Sequence, residues 1–174
     1  MTELNCADTD RVRDIIHVFG GLSWPAPREE MASIGARLEW TILSETPHST
    51  RFDTGFPTNF PIGGVTVDDG RIGQVTIKLT DKVTDPDAEL AAELSSSAVH
   101  FREDITVLVG EPVSVRGGVE SHWTWDLANG GRVTLTRSSS VVTLTVLQER
   151  YADIERNEEA LGISESRDPE ADLV

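Results

Sequence analysis

The sequence predicts an α+β fold: an antiparallel sheet of about six strands with N-terminal, central and C-terminal helices packed on one face. Three observations predict it. Between His122 and Val146, apolar and polar residues alternate in three short runs separated by turn residues. From Asp85 to Gly110 an apolar stripe recurs at helical spacing. Residues 8–19 repeat that spacing, with Val12, Ile15, Ile16 and Phe19 on one side.

The C-terminal sheet is the most sharply specified part. Trp123, Trp125 and Leu127 alternate with His122, Thr124 and Asp126. Val133 and Leu135 alternate with Arg132, Thr134 and Thr136, and Val142, Leu144 and Val146 with Thr143 and Thr145. A one-residue slip would invert every side chain, so the faces constrain the register. Trp125 has to share a face with Leu135. That predicts a three-residue loop, Asn129-Gly130-Gly131, with Gly131 left-handed. Leu135 lies beside Leu144 if Ser139-Ser140 is a two-residue turn, or if a four-residue loop replaces it. Either way a threonine-rich face remains on the other side, and an uncovered antiparallel face is a flat surface on which a partner could dock.

In chain order, the first helix is ended by Gly20-Gly21. Trp24-Pro25-Ala26-Pro27 reads as a connector, with Trp24 plugging the gap between helices. A short helix follows from about Arg28, with Met31 and Ile34 inward. Leu38, Trp40 and Ile42 begin a period-two pattern, and a second strand is placed around Arg51 to Thr54. Residues 55–64 carry Phe56-Pro57 and Phe60-Pro61, and proline cannot donate to a sheet ladder. Phe56 and Phe60 are therefore loop aromatics, candidates for partner contact, although such rings more often fold back over the core. Val65 and Val67 lead into Asp68-Asp69-Gly70, read as another three-residue loop, and Val75, Ile77 and Leu79 lead out. In the central helix Asp85 is placed as N-cap with Pro86 at the first position. Leu90, Leu94, Phe101, Ile105 and Leu108 form its stripe, and Ser95-Ser96-Ser97 is the point where it could bend. Val113 and Val115 begin a short strand. A last helix covers about Glu149 to Leu161 with Tyr151 and Ile154 inward. Residues 1–162 read as a single domain, and residues 163–174 as a disordered acidic tail.

The formal net charge is −15, from 30 acidic against 15 basic residues. Such a surface repels phosphate backbones, which argues against nucleic acid, and attracts basic proteins. Cys6 is the one cysteine, so neither an intrachain disulfide nor a thiolate metal cluster is expected. No run approaches the roughly 20 apolar residues of a membrane span, and the N-terminus lacks the order of a signal peptide. A cytoplasmic location is expected.

Chemistry-bearing motifs are sparse. His17, His48, His100 and His122 stand at no metal-ligand spacing, and no G-x-S-x-G context supports a nucleophilic serine. Asp81, Asp85, Asp87 and Glu89 do not match a calcium loop, and Gly63-Gly64 and Gly117-Gly118 lack the lysine of a phosphate loop. No catalytic residue, cofactor or metal is expected, and the chain reads as a non-enzymatic protein. A pocket beside Trp123 and Trp125 is the competing reading; paired tryptophans among Leu and Val rows are more often core.

The order of elements resembles the layout of type III secretion chaperones. The segment HWTWDLANGGRVTLTRSSSVVTLTVLQERYADIE is similar to the C-terminal signature of small, acidic, uncharacterised actinobacterial proteins of the toxin-immunity kind. That resemblance implies an immunity protein neutralising a cognate, basic toxin domain, as monomer or homodimer. The alternatives are a chaperone for a secreted effector, or a small-ligand or enzymatic domain. Candidate partner-binding residues are Asp153, Glu155, Glu158 and Glu159 on the last helix, Phe56 and Phe60 in the loop, and Thr134, Thr136, Thr143 and Thr145 on the sheet.

Overall fold

The chain, described over residues 3–162 in a computed structural model, orders its elements as follows. Two helices, α1 (Thr9–Gly20) and α2 (Glu30–Leu38), precede four strands: β1 (Thr41–Thr46), β2 (Ser49–Asp53), β3 (Ile62–Asp68) and β4 (Arg71–Lys78). The long helix α3 (Ala88–Val109) leads to β5 (Ser114–Arg116), β6 (Ser121–Asp126), β7 (Arg132–Arg137) and β8 (Val142–Leu147), and α4 (Glu149–Ala160) follows. All strands join one antiparallel sheet in the order β1-β2-β3-β4-β8-β7-β6-β5. The first meander starts at one edge and works inward; α3 carries the chain to the far edge, and the second meander works inward to meet it.

The sheet has eight strands, more than the six or so expected. The strands expected from Leu38 and from Val113 are both present and form the two edges: β1 starts later, at Thr41, and is exposed at nearly every residue, and β5 is three residues long.

One face carries the core. Phe52, Val65, Val75, Ile77, Leu144, Val146, Val133, Leu135 and Trp125 all point into it, beneath α1, α2 and α3. Trp40, held between α2 and β1, stacks on Phe52 with ring centroids 4.2 Å apart, and Phe19 of α1 tilts against Trp40 at 6.1 Å. Gly63 lies directly under the Phe52 ring, so any side chain there would collide with it. Trp123 and Trp125 are core. The Trp125 Nε1–H donates to the Gly110 carbonyl at 3.0 Å, which fastens the C-terminal end of α3 to β6 and satisfies a buried polar group.

The last helix departs from expectation. Arg132 alternates with Val133 and so faces the threonine side, yet only 1% of it is exposed. Its partners Glu155 and Glu159 belong to α4, which therefore packs on the face opposite the other helices. A buried guanidinium needs carboxylates, and α4 supplies them. Ile154 consequently points to solvent instead of inward, while Tyr151 covers Gly73 and donates to Asp68 at 3.2 Å.

Turn chemistry also differs from the sequence reading in detail. Asp68 pairs with Arg71, so Asp69-Gly70 is a two-residue turn with both φ positive (52° and 72°), the geometry that matches strand twist. The third residue reappears as a bulge in β4, where Val65 opposes Val75 and Val67 opposes Ile72. That bulge keeps the valines and isoleucines on one face. In the β6–β7 hairpin Leu127 donates to Gly131, and Gly130, not Gly131, is left-handed (φ 89°). The loop is Ala128-Asn129-Gly130, one residue earlier than expected. Asn129 explains the shift: its amide donates to the Phe19 and Leu22 carbonyls at 2.8 and 2.9 Å, capping α1. Leu135 does sit opposite Leu144, around a Ser139-Ser140 turn whose Ser138 hydroxyl accepts from the Ser140 and Val141 amides.

Helix α3 begins later than expected. Asp87 is the N-cap, accepting from the Leu90 amide at 2.8 Å, while Asp85 takes a positive φ in the preceding turn. The serine run does not break the helix: Leu94 and Ala98 are buried on either side of it, and packing overrides weak propensity. At 22 residues the helix extends about 33 Å. No described helix is long and apolar enough to cross a membrane. The expected disordered tail, 163–174, lies outside the described residues.

Candidate functional site

Cross-strand register shows what the open face presents. Thr76, Thr145, Thr134 and Thr124 lie side by side across β4, β8, β7 and β6. The neighbouring row reads Lys78, Thr143, Thr136, His122 and Arg116. Thr134, Thr136, Thr143 and Thr145 thus form a contiguous block, as two directly opposed pairs. Thr124 and Thr134 join hydroxyls at 3.2 Å.

The third row, nearest the β6–β7 loop, is roofed by α4. Arg132 Nε donates to Asp126 Oδ1 at 2.9 Å, and Nη1 donates to Glu155 Oε2 at 3.2 Å and Glu159 Oε1 at 2.9 Å. Arg156 adds Nη1 to the same Asp126 oxygen at 2.7 Å and Nη2 to the Gly130 carbonyl at 2.7 Å, and also pairs with Asp153. Burial works against the charge on Arg132, but the three carboxylates outweigh it and raise its pKa. Burial likewise works against ionised Asp126; the hydrogen bonds and charges of Arg132 and Arg156 outweigh it and lower the pKa. Three of the four acidic candidates, Asp153, Glu155 and Glu159, are therefore bonded within the molecule. Glu158 is half-buried.

The two loop phenylalanines separate. Phe56 is buried with the Arg11 guanidinium 4.9 Å from its ring centre; Phe60 is 41% exposed and lies under the Lys78 ammonium at 4.8 Å.

Two histidines have hydroxyl and carboxylate neighbours. His100 meets Thr9 Oγ1 at 3.3 Å and Asp104 Oδ2 at 3.4 Å through one nitrogen, Nε2. A proton relay needs both nitrogens, so this geometry does not make one. His122 uses both, Nδ1 to Thr136 Oγ1 at 3.2 Å and Nε2 to Glu120 Oε2 at 3.5 Å. That couple lies on the flat face, Glu120 is largely exposed, and the β7 amides around Thr136 are engaged in ladders on both sides. An oxyanion developing there would meet β7 amides already engaged in the sheet. Among the described residues no group of three or more His, Cys, Asp or Glu is placed to hold a metal ion.

The sheet edge at β5 was not singled out by sequence. β5 pairs with β6 on one side and, among the described residues, with no strand on the other. Around it stand Val107, Val113, Val115 and Val119, all more than half exposed. Between β5 and the C-terminal half of α3 runs a groove of about 470 Å³, lined by Val107, Pro112, Val115 and Trp123 with Arg102, Glu103 and Glu111 at its rim. The strand itself was readable from Val113 and Val115, and the further signal was Val107, an apolar residue off the α3 stripe.

Together these features define an α+β protein whose single sheet is covered by helices on one face and largely open on the other. The chain belongs to DUF6301, a family of unknown function, whose model matches residues 10–148. The match ends at Gln148, the residue that caps α4. No curated protein and no solved structure matches the chain.

Proposed function

We propose that this chain is a protein-binding domain that takes an extended segment of its partner alongside β5. The observation that carries the reading is a sheet edge, beside which no described strand lies, surrounded by four exposed valines. Scattered surface apolar residues need no explanation, but a cluster marks an interaction site. Edge strands are ordinarily blunted by charge, bulges or covering elements. An added strand would draw affinity from the outer backbone edge of β5 and specificity from side chains entering the α3–β5 groove.

In its narrower form the partner is a toxin domain and the chain its immunity protein. The net charge of −15 supports this, since it steers a basic partner towards the surface. A chaperone for a secreted effector is the second reading, favoured by the same open edge, because an unfolded client offers extended segments. Selection from a displayed library of extended peptides, followed by amide shift mapping, tests the common core. Selected peptides are expected to alternate apolar residues and to shift β5, β6 and the end of α3; Val115→Lys should abolish the shifts. Peptides that map elsewhere, or that bind Val115→Lys unchanged, would refute the reading. Co-expression with the product of the adjacent reading frame separates the forms: growth rescue marks immunity, and secretion of that product marks a chaperone.

A further inference from the structure

The open face carries a second feature, at the opposite side of the sheet and of opposite sign to the chain as a whole. Arg51 lies in the same cross-strand row as Thr76, separated from it by Gly64, and Lys78 follows two residues along β4. Lys82 stands close by: burial, then the charges of Lys82 and Arg51, push the Lys78 ammonium below its ordinary pKa. None of the three cations forms an ion pair with a described carboxylate. In a chain with twice as many acids as bases, three grouped cations with no ion-pair partner among the described carboxylates form a local field of the opposite sign, suited to an anionic partner.

The patch is also held in shape. Phe60 lies under the Lys78 ammonium, and Asn59 grips the Lys82 backbone through two hydrogen bonds of 2.8 Å. At Gly64 a side chain would meet nothing within 4 Å, so a notch opens between Arg51 and Thr76 where a main chain can approach. Thr143, directly opposite Lys78, offers a hydroxyl beside the cations.

We infer that Arg51, Lys78 and Lys82, with the Gly64 notch and the Thr76 and Thr143 hydroxyls, dock an acidic segment of a partner polypeptide on the open sheet face. The occupant is a short run of carboxylates instead of a nucleic acid. A long phosphate backbone would be carried over the acidic remainder of the surface, whereas a few carboxylates match three cations without reaching it. This docking point goes beyond the β5 edge and does not depend on it.

Amide shift titration of the full chain at low ionic strength tests the inference, where exposed charge pairs are least screened. The probes are a peptide of alternating Glu and Ser, the same peptide with Gln for Glu, and an oligothymidylate of equal length. The Glu peptide is expected to shift Gly64, Thr76, Lys78 and Thr143. The variant Arg51→Gln/Lys78→Gln/Lys82→Gln should bind it at least about tenfold more weakly while retaining the amide spectrum of the remaining sheet. Gly64→Val should weaken it as well, by filling the notch with all three cations kept. Any of four results would overturn it: no shifts with the Glu peptide, equal shifts with the Gln peptide, unchanged affinity in the triple variant, or tighter binding of the oligothymidylate.

Discussion

The two halves of the sheet are laid down in the same way, helix first and then a four-strand meander running inward, yet they are finished differently. The β1 edge is closed off: it is polar apart from Leu43 and Ile42, a bulge interrupts it, and Arg28 donates to the Thr46 and Ser49 carbonyls at its end. The β5 edge is bare and bordered by valines. On the open face the contrast reverses. The first half leaves Arg51 and its neighbouring lysines without an ion pair among the described residues, and the second buries Arg132 beneath α4 with three carboxylates. Each half thus hides one kind of adhesive surface and displays the other, which is why the molecule's exterior cannot be summarised by its net charge.

The largest test of this contrast compares two arginines. Arg132→Met would remove the guanidinium that Asp126, Glu155 and Glu159 share, leaving Asp126 with Arg156, and should destabilise the fold by about 1.5–3 kcal/mol in urea denaturation. Arg51→Met, in the other half, should stay within about 0.5 kcal/mol. Equal effects would mean that the buried cluster does not hold α4.

Acid should act on the same cluster next. Because the folded pKa of Asp126 is depressed, its contribution is complete above the ordinary aspartate value of about 3.9 and disappears as pH falls through the depressed one. The fluorescence of Tyr151, the one tyrosine, together with amide exchange in α4, should report release of the helix in that acidic window before the tryptophan-bearing core opens. Simultaneous loss of both would remove the distinction.

At the closed edge, Arg28→Ala should cost about 1–2 kcal/mol, from hydrogen bonds to two strand carbonyls and the Thr50 hydroxyl. Hydrogen exchange should then rise in β1 and β2 alone. The smallest effect on stability is expected at the open edge: Val115→Lys should change it by less than about 0.5 kcal/mol while removing partner binding. A large destabilisation there would show that β5 serves the core instead of a ligand.

What the sequence made legible follows the same division. Wherever side chains alternate between core and solvent, as in Trp123 to Leu127 or Val142 to Val146, both strand and facing were readable, because burial imposes the period. Turn registers were readable to within a residue or two; Asn129 had a distant obligation to α1, and the extra residue at Asp68 to Gly70 moved into a β4 bulge. The face of α4 was hidden because Arg132 looks like any solvated strand residue until its three carboxylates are seen. Of the candidate binding residues, the threonine block was visible as a pattern. The acidic residues of α4 were visible only as charge, and charge does not disclose that Glu155, Glu159 and Asp153 already have partners. The bare edge and the Arg51–Lys78–Lys82 patch escaped notice, since both arise from strand order, which no local window contains.

The inward-running meanders also bear on how the chain reaches its native state. Most neighbouring strands are joined by tight hairpins, but β4 and β8 meet across a separation of about 70 residues, with Val75 opposite Val146. Each meander can zip locally from its own turns, whereas the central seam must await the crossing of α3 and the closure of a long loop. Substitutions at that seam, such as Val146→Ala, should therefore slow refolding if the seam is part of the rate-limiting barrier, and mainly speed unfolding if it forms after it.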